Sequence, residues 1–183
     1  MLLHLMPAPL TTSLVMWPTL VVVIVATVTD LRSRKIPNWL VLPFLLLGFI
    51  ASGILHGWSG LGQSLLGVLV AAGVMGVFCY LGGMGMGDLK LCAAIGAWVG
   101  PSQLFVALVL TGLAGGVMAL CWAVAGGFFL EMFRSTAGLL SGLGRNGLRP
   151  DESLVLSNPL TRKMPYAPAI AIGTILSFLG RHA

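Results

Sequence analysis

The sequence predicts an all-α fold: a polytopic membrane helix bundle of six transmembrane helices with the N-terminus outside. Three observations carry that expectation. Hydrophobic residues make up 57% of the 183 and charged residues 8%, with a mean hydropathy of +1.00, whereas a soluble domain carries about 25% charged residues. Apolar runs recur at lengths suited to spans of about 20 residues each. The ten basic residues gather in the gaps between those runs. Nothing in the composition sets a soluble part aside, so residues 1–183 read as one membrane-embedded domain.

Residues 1–9 hold no Lys or Arg, and no small-residue cleavage site precedes the charged cluster at 30. The first span, about 10–29, is therefore expected to be retained rather than cleaved as a signal peptide. Its Trp17-Pro18 pair predicts a kink or an interfacial start. A second span covers about 39–55, a polar break follows at 56–60, and a third span covers about 61–81. The fourth apolar run, 89–100, holds only 12 residues, about 18 Å of helix against a core of about 30 Å. Either its helix begins upstream or the preceding glycines lie below the membrane surface. Pro101-Ser102 predicts a turn, and a fifth span runs over about 103–125.

Residues 126–163 form the one long connection. Phe129, Met132, Phe133, Thr136, Leu140 and Leu143 recur there at helical spacing, which predicts an amphipathic helix in the interface. Gly138, Gly142, Gly144 and Gly147 argue equally for a loose linker. The last span, about 164–180, opens with Pro165 and Pro168, which a first turn tolerates. The pairs Gly96/Gly100 and Gly112/Gly116 are expected to pack helix on helix.

Charge fixes the orientation. With the N-terminus outside, nine of the ten basic residues face the cytoplasm and only Arg181 lies outside, as the positive-inside rule requires. The net charge of +5 is better matched to membrane lipid than to nucleic acid, because the cations lie in loops rather than along a face interleaved with aromatics. Cys79, Cys92 and Cys121 stand alone in apolar runs. They read as small core residues, forming neither a disulfide framework nor a CxxC metal site.

Two acids stand out against this background. Asp88 follows three alternating glycines, Gly83, Gly85 and Gly87, where one apolar run gives way to the next. Asp30 closes the first span. An acid so near hydrocarbon is a functional-site candidate by default. The topology puts both at the cytoplasmic boundary, although they lie 58 residues apart. Two carboxyls sharing a partly desolvated site cannot both ionise cheaply, so the pair holds one proton between them. One member could then activate water while the other hydrogen-bonds a carbonyl oxygen, which is a route to peptide hydrolysis. That chemistry calls for no metal and no cofactor, and His4, His56 and His182 are all expected on the outer side. Gly85 and Gly87, lacking Cβ, would let backbone approach the acid closely. Lys90 reads as a snorkelling anchor, and Arg32, Arg34 and Lys35 as topology determinants. Ile36-Pro37-Asn38 ends the loop in a stiff bend.

The segments Asp30-Leu31-Arg32-Ser33-Arg34-Lys35-Ile36-Pro37-Asn38 and Gly85-Met86-Gly87-Asp88-Leu89-Lys90-Leu91 resemble the two signature motifs of the prepilin peptidases, membrane aspartyl peptidases of the GxGD type. Pro165 to Gly173 is similar to that family's last, proline-containing span. The resemblance implies that Asp30 and Asp88 are the catalytic pair, with Gly85, Gly87, Lys90, Pro37 and Asn38 supporting the motif or the substrate. It implies a prepilin or pseudopilin precursor as substrate, cut on the cytoplasmic side of the bacterial inner membrane just before its hydrophobic helix, and pilus or secretion machinery as neighbours. Bifunctional members carry paired CxxC motifs in an additional cytoplasmic region and also methylate the new N-terminus. This sequence contains no CxxC, so the resemblance implies a peptidase-only form of the Flp or tight-adherence type. Two rivals from other classes are a small proton-coupled transporter, which would place acids at mid-span, and a pilus-assembly scaffold with purely structural acids.

Overall fold

A hydroxyl in an apolar helix needs an acceptor, and the first helix supplies its own. Thr19, Thr27 and Ser33 each donate to the carbonyl four residues back, at 2.7 Å in all three cases. Such back-bonding satisfies the polar group inside the helix that carries it. The computed structural model describes residues 8–80, 84–127 and 165–182. They form α1 (Ala8–Ser33), α2 (Asn38–Tyr80), α3 (Met86–Ala125) and α4 (Ala167–His182), with no strand among the described residues. The region expected to hold an interfacial amphipathic helix lies outside the described residues beyond Gly127, as does Gly83. Helix α1 runs on from Ala8 to Ser33 with Pro18 inside it.

Two helices fold back on themselves at glycines. Gly57 (φ 62°, ψ −144°) divides α2 and Gly100 (φ 77°, ψ 176°) divides α3, and only glycine takes such dihedrals cheaply. The contacts reveal the reversal in α2. A Cβ placed on Gly48 would meet Ala97 and Trp98, and one on Gly67 would meet Gly96. A straight helix would hold residues 48 and 67 about 28 Å apart, so the chain must turn back between them. Gly96 likewise lies within reach of Leu104 across Gly100. The turn expected at the polar break is made by Gly57 within it, and the one expected at Pro101-Ser102 by Gly100 directly before it.

The first arm of α3 is the centre of the bundle. Every residue from Leu91 to Ala97 is buried, with Val23, Ala26, Phe44, Ala71, Met75 and Ile170 packed around it. Small residues make this possible. A Cβ on Gly96 would lie 2.7 Å from the Gly67 carbonyl oxygen and 2.9 Å from Leu104 Cδ2, so the two backbones touch. Ser64 closes the same crossing by donating to the Ala97 carbonyl at 2.6 Å. Trp98 stacks on Phe44 at 5.0 Å and donates its Nε1 to the Phe44 carbonyl at 2.8 Å. The second arm of α3 pairs antiparallel with α4: Gln103 donates to the Ser177 carbonyl at 2.7 Å, Gly173 lies against Thr111, and Gly115 lies against Tyr166.

Of the four glycines expected to pack, Gly96 does so, Gly100 makes a turn, and Gly112 and Gly116 face open space. Cys92 is buried in the core, while Cys79 is partly exposed and Cys121 exposed. The outer face is apolar, with Leu46, Leu65, Phe105 and Leu113 all exposed. Helix α2, helix α3 and Ser13–Ser33 of α1 are each long and apolar enough to cross a membrane. The described residues therefore form an all-helical, multi-pass membrane bundle.

Candidate active site

Asp30 sits in the last turn of α1 and is only 7% exposed. Its burial is compensated by a backbone donor: the Ala167 N–H, in the first turn of α4, reaches its Oδ2 at 3.1 Å. The α1 helix closes just beyond it. The Arg34 N–H donates to the Asp30 carbonyl at 2.8 Å, with Arg34 in the left-handed region at φ 52°. The chain then passes Lys35 and Ile36 to Pro37, whose carbonyl accepts from Leu40 N at 3.1 Å and so starts α2.

The second acid belongs to the start of α3. Gly85 caps that helix with extended dihedrals, and its carbonyl accepts the Asp88 N–H at 3.1 Å. Asp88 is thus the third residue of the helix, where the exposed N–H groups and the helix dipole favour a negative side chain. Its carboxylate folds back over the cap, and a Cβ on Gly85 would lie 3.3 Å from Oδ2. Gly87 allows the approach from the other side. A Cβ there would sit 3.3 Å from Ile36 Cβ, so the missing side chain lets α3 press against the loop joining α1 to α2. Lys90 clamps the same contact by donating to Asn38 Oδ1 at 3.1 Å.

Together these elements form an open cavity of about 300 Å³ lined by Asp30, Asp88, Gly85, Gly87, Lys90, Asn38, Ile36, Arg34 and Lys35, with Arg34, Lys35 and Asn38 exposed at its mouth. Six of the seven residues singled out from the sequence meet there. Pro37 lies outside the wall and contributes through the start of α2. The structure adds Arg34 and Lys35 to the lining and the Ala167 amide as a partner of Asp30. A backbone donor leaves no residue-type signal. The two cations could have been placed here only by knowing that Arg34 ends its helix in the left-handed region. Among the described residues, no three His, Cys, Asp or Glu side chains gather as a metal site would require.

Two carboxyls in a cavity at one end of a membrane bundle define the class as a membrane protein with a paired-acid centre. The profile of the type IV leader peptidase family matches residues 17–120, which include both acids. The chain belongs to that family. Curated relatives include the prepilin leader peptidase/N-methyltransferases of Aeromonas hydrophila, 37% identical over 54% of this chain and 36% of the relative, and of Escherichia coli K12, 35% identical over 51% and 44%. The protein of the same name from Bacillus subtilis 168 is 30% identical over 91% of this chain and 57% of its own length. The chain thus spans about a third to just over half of the length of these relatives. No solved structure matches it significantly.

Proposed function

We propose that this protein is an aspartyl endopeptidase that removes the basic leader from type IV, Flp-like prepilins at the cytoplasmic face of the inner membrane. The observation that carries the proposal is the shared cavity of Asp30 and Asp88. One carboxylate takes a proton from water, which attacks the scissile carbonyl. The protonated partner hydrogen-bonds the carbonyl oxygen and gives it its proton as the tetrahedral diol forms. The first acid then passes the proton it took from water to the leaving amine as the C–N bond breaks, and the partner takes back the hydroxyl proton. The backbone N–H of Ala167 fixes one oxygen of Asp30 and so orients its other oxygen. In this reading six helical arms cross the bilayer with the N-terminus outside. Two arms come from each of α2 and α3, and the end bearing Asp30, Asp88 and Asn38 faces the cytoplasm.

Relatives named as prepilin leader peptidases support the substrate class. Asp30 and Asp88 at one end of the bundle, with the Gly57 and Gly100 turns at the other, speak against a mid-membrane proton relay. Asp30→Asn and Asp88→Asn should each abolish leader removal from a co-expressed prepilin, read by N-terminal sequencing of the pilin, while membrane insertion persists. Complete processing by either variant would refute the assignment. Pilin correctly processed in a strain lacking this protein would favour the scaffold.

A further inference from the structure

Beside the two-acid cavity lies a larger, apolar one of about 430 Å³, which the chemistry of the acids leaves unused. Its floor holds Met75 of α2 and Leu108 of α3, both buried, and its rims are Phe78 and Phe105, both exposed on the apolar outer face. Gly112 keeps it open, since a Cβ there would meet nothing within 4 Å. The cavity is therefore a groove between the second arms of α2 and α3.

Two of its residues join it to the acids. Met84 lines the groove, and the next residue, Gly85, lines the acid cavity. Tyr166 lines the groove, and the next residue, Ala167, gives its N–H to Asp30. Adjacent Cα atoms stand about 3.8 Å apart, so the groove starts where the acid site ends. From there it runs toward the far end of the bundle. Tyr166 lies against Gly115, and Phe105 is about 15 Å of helix closer to the Gly100 turn.

The nature of the guest follows from the wall. In a bilayer an apolar groove gains nothing from the hydrophobic effect, because lipid tails are as apolar as its lining. It gains from packing, and a glycine on its face lets a second helix approach closely. A preformed helix also loses less freedom than an acyl chain when it is held in place. The one hydroxyl of the lining, that of Tyr166, stands at the acid end, and among the described residues no hydrogen bond engages it. A helix that begins at the acid site brings the unpaired N–H groups of its first turn to that position.

We propose that this groove seats the apolar helix of the peptide being cut, from Tyr166 beside the scissile bond to Phe105 about ten residues beyond it. The proposal rests on the peptidase reading, which puts an apolar helix directly after the cut. The substrate's register is then held from within the membrane, between α2, α3 and the start of α4.

The test uses the full-length protein in nanodiscs of phosphatidylethanolamine and phosphatidylglycerol, with a synthetic peptide of basic leader, cleavage junction and apolar helix. For binding, Asp88→Asn keeps the peptide uncut while Phe78 or Phe105 is replaced by the photoreactive p-benzoylphenylalanine. On irradiation the probe at 105 should mark the peptide about ten residues past the cut, and the probe at 78 should mark it nearer the cut, as read by mass spectrometry. For turnover, Gly112→Leu in the otherwise unaltered protein fills the groove. It should raise KM about tenfold with kcat little changed, as the loss of about 1.4 kcal/mol of uniform binding would. Gly62→Leu, which also points into open space but lies outside the groove, should change neither. If Gly112→Leu melts lower than the original, the cross-links alone decide. Cross-links to lipid alone with the peptide in excess assign the groove to acyl chains and overturn the proposal. The reverse register, or a KM that a stable Gly112→Leu protein leaves unchanged, also overturns it. In each of these cases the unaltered protein still cuts the peptide; if it cuts none, the peptidase reading fails and the groove's assignment with it.

Discussion

The two acids are held by different means, and each depends on a neighbour that contributes only backbone. Asp30 needs the Ala167 N–H, and Asp88 needs glycines that leave room around the start of α3. Gly87→Ala tests the second dependence. Its Cβ would arrive 3.3 Å from Ile36 Cβ, so α3 or the loop must shift by a few tenths of an ångström. Misplacement approaching 1 Å can cost a catalytic group about a hundredfold. We expect kcat/KM for prepilin cleavage to fall about tenfold while the melting temperature stays near that of the parent. The acids and their glycines were legible in the sequence because buried charge and missing Cβ are residue-type signals. Ala167 was not, since any residue but proline offers the same N–H, and Arg34 was legible only as a cation.

At the scale of the element, hydropathy located the helices, and the turns within the long ones were approximated. The break at 56–60 contained Gly57 and the Pro101-Ser102 pair pointed one residue past Gly100, but dihedrals rather than polarity decide where within each the chain reverses. Helix contacts were harder to read. Gly96 was expected in an interface and lies in one, whereas Gly112 and Gly116 have the same spacing pattern and face open space, because a small-residue motif does not name its partner. Gly67→Ala should therefore be costly, its Cβ falling on the Gly96 carbonyl. Overpacking of this kind costs about 1–3 kcal/mol and should appear as a lower melting temperature in detergent. Gly62→Ala, on the same arm with nothing within 4 Å, should be neutral or gain up to about 1 kcal/mol of helix propensity.

For the molecule as a whole, the apolar exterior and the aromatic residues at its ends fit a bilayer. Trp58 is 90% exposed beside the Gly57 turn, while Trp39 and Tyr80 are exposed at the opposite end, the arrangement of interfacial belts. The central helix does not fit so simply. From Met86 to the Gly100 turn it has 14 residues, about 21 Å, so it begins only three residues upstream of the apolar run and still falls short of a bilayer core of about 30 Å. Leu91 to Ala97 are buried among the other helices, so the mismatch reaches lipid only at the ends of the arm, where thinning the bilayer costs fractions of a kcal/mol for each ångström. On the peptidase reading, the host membrane's thickness thereby becomes a control on turnover. Cleavage should be fastest in vesicles of shorter acyl chains and slow progressively as the chains lengthen. Rates indifferent to chain length would mean that the neighbouring helices shield the short one from the lipid altogether.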